Sequence, residues 1–224
     1  MAVLFLTMGK KYRTIWQNAR TEQIIERSRF ITSISRISSR EEAEAFIASI
    51  KAEFKDATHN VPAFIAGSGG EIMMATDSGE PSGTAGAPIL NVLKGAGLTD
   101  VCCVVTRYFG GVKLGTGGLV RAYSGSAKIC LEKAGTAWVE YRPSAEVKTG
   151  YASFARLKSM LPDGMEVSDI RYTDTVTFRM TSAEKCLEEA EGIIRDITRG
   201  DVLFTDEGMV KTLIKADGET GQGA

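Results

Sequence analysis

Glycine most constrains what this chain can fold into. Fourteen of its 24 glycines lie between Gly67 and Gly125, eight of them in two stretches that each lead into a helical pattern. The first is Thr76-Asp77-Ser78-Gly79-Glu80-Pro81-Ser82-Gly83-Thr84-Ala85-Gly86-Ala87-Pro88. Ile89, Leu90, Val92 and Leu93 then recur at helical spacing until Gly95 and Gly97 stop them. The second is Arg107-Tyr108-Phe109-Gly110-Gly111-Val112-Lys113-Leu114-Gly115-Thr116-Gly117-Gly118, and a long helix from Leu119 to Lys133 follows, closed by Gly135. Glycine takes positive φ without steric cost and lets backbones approach closely, so such stretches specify tight strand-to-helix turns. Backbone N–H groups at a helix start also cradle anions. Neither stretch is a nucleotide fingerprint: no Lys follows the later glycines, as a P-loop requires, and the dinucleotide register is absent.

Around these stretches the pattern is mixed. Residues 22–37 read as one or two strands. Ser38 or Ser39 caps a helix that begins with Glu41 and Glu42 and turns Ala45, Phe46, Ala48, Ile50 and Phe54 inward. Val61 to Ala66 and Glu71 to Ala75 read as strands about a Gly67–Gly70 turn, and Val101 to Thr106 as a buried strand. After Gly135 the rhythm changes. Trp138 to Lys148, Met165 to Arg171, Thr175 to Met180 and Val202 to Phe204 are strand-like; Tyr151 to Met160 and Ala183 to Arg195 are helical. That order, β-α-β-β-α-β, is ferredoxin-like. Charge divides at the same place. Residues 1–135 hold 16 Lys+Arg against 12 Asp+Glu, and residues 136–224 hold 11 against 16. The expectation is an α+β protein of two domains, 1–135 and 136–215, with a disordered tail over 216–224. Met8, which opens Met-Gly-Lys-Lys-Tyr, is a start in its own right beside Met1.

Composition excludes several functions. A hydrophobic fraction of 43% with 25% charged residues is that of a folded globular chain. The apolar run at residues 2–6 is too short for a membrane span or signal-peptide core, so the cytoplasm is the expected compartment, with no membrane partner. One His, the adjacent pair Cys102 and Cys103, and the separate Cys130 and Cys186 offer no zinc motif. No metal or cofactor is expected, and the thiols read as buried and reduced. A peptidase is disfavoured: there is no nucleophile elbow, no HExxH and a single His to serve any nucleophile.

What remains is one candidate face. From the first Gly stretch it takes Asp77, Glu80, Gly83, Thr84 and Gly86. Asp77 and Glu80 read either as acid/base groups or, more simply, as capping residues. From the second it takes Arg107, Tyr108, Gly110, Gly111, Lys113, Gly115, Thr116, Gly117 and Arg121. There, cations interleaved with aromatics suit phosphates and stacked bases, although Tyr108 and Phe109 also read as core residues at a strand end. His59, at an element end, is the only imidazole that could join them.

These residues carry a resemblance. Asp77-Ser78-Gly79-Glu80-Pro81-Ser82-Gly83-Thr84-Ala85-Gly86, followed by Val104 to Tyr123 with its Arg-aromatic-aromatic-Gly-Gly-x-x-Leu-Gly core, resembles the IMPACT/YigZ family. Ser28-Arg29-Phe30 and Ala57-Thr58-His59 also fit its pattern. The resemblance implies an N-terminal β/α domain like ribosomal-protein domain 2, of the superfamily that includes a domain of elongation factor G. It implies a C-terminal ferredoxin-like domain similar to another elongation factor G domain. Eukaryotic relatives are translational regulators that compete for a kinase co-activator through a further N-terminal domain without counterpart here; for bacterial members, RNA or ribosome binding is the usual inference. The favoured expectation is therefore a non-enzymatic protein associated with RNA, the ribosome or translation factors. The alternatives are an enzyme or phosphorylated-metabolite binder using loops 77–86 and 110–118, and a protein–protein interaction module.

Overall fold

The computed structural model describes residues 11–183 and 187–216. The chain falls into two compact units, one running to Glu140 and regaining the chain from Leu213, the other Tyr141–Thr212. The first unit contains β1 (Tyr12–Ile15), β2 (Ala19–Ile25), β3 (Ser28–Arg36), α1 (Arg40–Glu53), β4 (His59–Ala66), β5 (Ile72–Ala75), α2 (Gly86–Gly95), β6 (Val101–Tyr108) and α3 (Gly115–Ala134). Its sheet has the order β2-β3-β6-β4-β5, with every neighbouring pair antiparallel.

Alternation along β6 sorts this sheet into two cores. Val101, Cys103 and Val105 face a cluster built with α2 and α3, around Ile89, Leu93, Leu119 and Tyr123. Cys102 and Val104 face the other side with Phe64, Ala43, Ile47 and Ile50, against α1. The two adjacent cysteines therefore point to opposite faces. Burial pushes the Cys102 thiol up to about 12 and the Cys103 and Cys130 thiols upward as well, so all three stay protonated. Cys186 lies outside the described residues.

Strand β7 (Thr136–Thr149) pairs through its first residues with β1, Tyr12 opposite Val139. Within the second unit, β7 is followed by α4 (Tyr151–Met160), β8 (Met165–Tyr172), β9 (Val176–Ser182), α5 (Leu187–Thr198) and β10 (Val202–Lys215). The strand order there is β10-β7-β9-β8, the ferredoxin-like arrangement. Val147, Phe178, Met180, Leu157 and Ile194 fill its core between sheet and helices.

The fold is the expected α+β class, with local corrections. Strand β1 formed where residues 1–20 show no pattern, because main-chain pairing with β7 supplies what side-chain periodicity lacks. In α1, Ser39 is the cap, its Oγ accepting from the Glu42 N–H at 3.3 Å. The buried face is Ala43, Ile47 and Ile50 with Phe46 and Phe54 packed beside it, so Ala45 and Ala48 point outward. Strand β10 runs far past Phe204 to Lys215. Ala183 precedes α5, which is described from Leu187 on. Of the tail expected to be disordered, Ala216 donates its N–H to the Thr136 carbonyl at 3.0 Å, and the rest lies outside the described residues.

Candidate functional site

The site is built on the end of β6. Arg107 continues the row of Val101, Cys103 and Val105, so its side chain projects toward α3. In register it lies opposite Phe30 on β3 and His59 on β4. The guanidinium is buried, its side chain 6% exposed. One of its terminal nitrogens donates to Glu80 Oε1 at 2.6 Å, and the other donates to Ser28 Oγ at 3.2 Å. The Phe30 and Phe109 rings each lie 5.5 Å from its central carbon. Arg107 is therefore no exposed phosphate contact, contrary to the reading of it as part of a basic surface.

Glu80 is the other half of this buried pair. Its side chain is 4% exposed, and Oε1 also accepts from the Tyr123 hydroxyl of α3 at 2.7 Å. Burial and that bond to Glu80 push the Tyr123 phenol well up, so it remains a donor. Glu80 does not cap a helix. A buried charge is stable only when paired and hydrogen-bonded, and here Arg107 and Tyr123 meet that need.

Asp77 shapes the loop that carries Glu80. Its Oδ2 accepts from the Gly83 N–H at 2.7 Å; its Oδ1 accepts from Ala85 and Gly86 at 3.0 and 2.9 Å. Ala85 has no side-chain cap of its own, so Asp77 caps α2 from eight residues upstream. Burial pushes the Asp77 carboxyl up, and the N–H bonds from Gly83, Gly86 and Ala85 more than reverse this, leaving it below its ordinary value. Thr84 is buried, its hydroxyl donating to the Pro81 carbonyl at 2.6 Å. Gly86 has no room for a side chain: a Cβ there would lie 2.6 Å from the Thr76 carbonyl oxygen.

His59 is tied to the same loop. Its Nδ1 lies 2.9 Å from the Ser78 carbonyl, which can only accept, so Nδ1 carries the proton. Its Nε2 stands 3.9 Å from Glu80 Oε1, beyond hydrogen-bond reach.

Past Arg107 the chain divides the remaining candidates. Tyr108 belongs to the opposite face, where its hydroxyl donates to Asp56 at 2.9 Å, so the fold does not bring it to the site. Gly110 passes so close to the β2–β3 turn that a Cβ would lie 1.9 Å from the Arg27 carbonyl oxygen. Gly111, at φ +83°, completes the turn toward α3. Phe109 is 47% exposed. Helix α3 starts at Gly115 without a side-chain cap, so the leading N–H groups of Gly115, Thr116 and Gly117 are left for solvent or a ligand. Lys113 and Arg121 are exposed, and neither has an ion pair or side-chain hydrogen bond among the described residues. Glu80, Arg107, Phe109, Lys113 and the start of α3 enclose a pocket of about 390 Å³. Among the described residues no group of three His, Cys, Asp or Glu could hold a metal ion, and no helix is long and apolar enough to cross a membrane.

Sequence reasoning places Tyr123 among the aromatics around the second Gly stretch, and Ser28 and Phe30 only within the family pattern, and gives none of the three its part in the buried network. Only strand register and the facing of α3 bring them to Arg107 and Glu80. Phe109 was legible, since the apolar run that accounts for burial stops at Thr106.

The Impact N-terminal domain matches residues 26–131, which hold the whole of this site. The chain is 38% identical over 194 residues to the IMPACT family member YvyE of Bacillus subtilis (strain 168), covering 86% of this chain and 89% of that protein. It is 34% identical over 182 residues to the IMPACT family member YigZ of Escherichia coli (strain K12), covering 80% and 89%. A solved crystal structure of a hypothetical protein is similar at a TM-score of 0.58 and 30% identity, over 88% of this chain and 97% of that one.

Proposed function

The chain belongs to the IMPACT family, and from that premise we propose that it is a non-catalytic RNA-binding protein acting on the translation machinery. The observation that carries this is the edge formed by Lys113, Arg121 and Phe109 at the uncapped start of α3. Lys113 and Arg121, exposed and with no ion pair among the described residues, line one hollow together, and Lys113 also lines a pocket with the half-exposed Phe109. Phosphates are neutralised by such cations and by helix-start N–H groups, and bases stack on such rings. The two acids of the first Gly stretch count against acid/base catalysis. Asp77 is engaged by three backbone N–H groups, and Glu80 by Arg107 and Tyr123. The family resemblance, whose eukaryotic members regulate translation, directs the proposal to ribosomal RNA.

Few cations are involved, so binding is weak and its log–log salt slope is small, about −0.7 for each phosphate neutralised on a single strand. Fluorescence anisotropy of a labelled single-stranded RNA, titrated from low to physiological salt, tests the reading beside ribosome co-sedimentation. The double variant Lys113→Ala/Arg121→Ala should lose most of the affinity and lower the log–log salt slope by about 1–2. Absence of RNA association at any salt, or an unchanged slope in the double variant, would overturn it.

A further inference from the structure

We infer that the pocket under this edge binds a single ribonucleotide unit, with Glu80 accepting a hydrogen bond from its sugar. The inference rests on the RNA reading of the same surface and narrows it to a ligand class. The volume of about 390 Å³ lies within the roughly 300–1,000 Å³ of small-molecule sites. Its walls supply three different chemistries. Lys113 and the N–H groups at Gly115 and Thr116 offer an anion position. Phe109, half exposed, offers a flat apolar wall. The third is at Glu80. Oε1 already accepts from Arg107 and Tyr123, whereas Oε2 accepts from none of the described residues. Glu80 lines the pocket, and this oxygen is not among the buried polar atoms left without a partner, so it is open to accept from a donor that enters.

Anion, ring and hydroxyl donor occur together in a ribonucleoside monophosphate or in one nucleotide of an RNA strand. Inorganic phosphate meets only the first requirement, and a free base only the second. Because Oε1 is engaged, Glu80 presents one oxygen rather than two, which suits a single sugar hydroxyl.

Calorimetric titration of the full chain with adenosine 5′-monophosphate, its 2′,3′-dideoxy analogue and inorganic phosphate tests the assignment. Glu80 is probed through the ligand, since replacing it would strand the buried Arg107. The monophosphate should bind about a hundredfold tighter than inorganic phosphate, and Phe109→Ala should narrow that gap by about tenfold. The dideoxy analogue should bind about tenfold more weakly than the ribonucleotide. A monophosphate no tighter than phosphate, a gap undiminished by Phe109→Ala, or equal affinity for the dideoxy analogue would each overturn the assignment. The two readings fail separately. If RNA binding depends on Lys113 and Arg121 but the monophosphate binds no better than phosphate, the pocket assignment alone falls. If RNA does not bind at any salt, the broader reading falls.

Discussion

The start of α3 in the first unit and the helix-free sheet face of the second unit treat their arginines in opposite ways. On that face Arg142 pairs with Glu166 at 3.1 Å, Arg171 with Glu146, and Arg179 with both Asp169 and Glu207, the latter at 2.9 Å. Ser144 adds a hydrogen bond to Glu207 at 2.8 Å. Three cations there are neutralised by four acids of the same face. At the start of α3, Arg107 is neutralised too, but inside the core, while Lys113 and Arg121 stay exposed with no ion pair among the described residues. Attraction for a polyanion depends on cations that lack internal partners, not on how many arginines a surface carries.

Breaking the buried pair should have the largest effect. Arg107→Ala leaves the Glu80 carboxylate buried without its counter-charge, and the first unit should lose about 3–5 kcal/mol in urea unfolding. A loss below about 1 kcal/mol would mean that the pair behaves like the exposed ones and would erase the contrast. Asp77 gives a smaller effect that is sharpened by pH. Its folded-state carboxyl titrates below the ordinary value, so its stabilising contribution is present above about pH 4 and fades as pH falls through the lower folded value. Asp77→Asn should cost about 1 kcal/mol at neutral pH and remove that share of the acid sensitivity, read as melting temperature against pH. A pH profile identical to the parent's would exclude the capping role. The smallest effect is expected at Arg179, 40% exposed. Arg179→Ala should change stability by no more than about 0.5 kcal/mol, with an unaltered salt slope for RNA. A reduced slope would move the nucleic-acid surface to the second unit.

Much of this was legible in the residues. The two Gly stretches mark both turns of the site, and alternation at Cys102 and Cys103 separates two cores. Gly110 and Gly86 are explained by backbone approaches that glycine alone permits. Arg107, Glu80 and His59 were legible as candidates but not in their roles. Arg107 reads as a surface cation beside Lys113, and Glu80 as a capping acid beside Asp77. Nothing local separates the members of either pair, because a residue type and its loop do not state which side chain points inward.

The sequence by itself determined the α+β class, the order of elements after β1, the position of the glycine turns and the family. Each follows from local periodicity, from what φ angles a residue permits, or from a motif read in line. Tertiary structure alone decided that Arg107, Glu80, Tyr123 and Ser28 form one buried network, that Tyr108 belongs to the other face, and that Lys113 and Arg121 stay exposed with no ion pair among the described residues. Those facts depend on strand register and on the facing of α3, which bring together residues as far apart in the chain as Ser28 and Tyr123. Whether a charge is spent inside the protein or remains available to a ligand is set by what lies across from it, and that partner is fixed only when the sheet and helix pack.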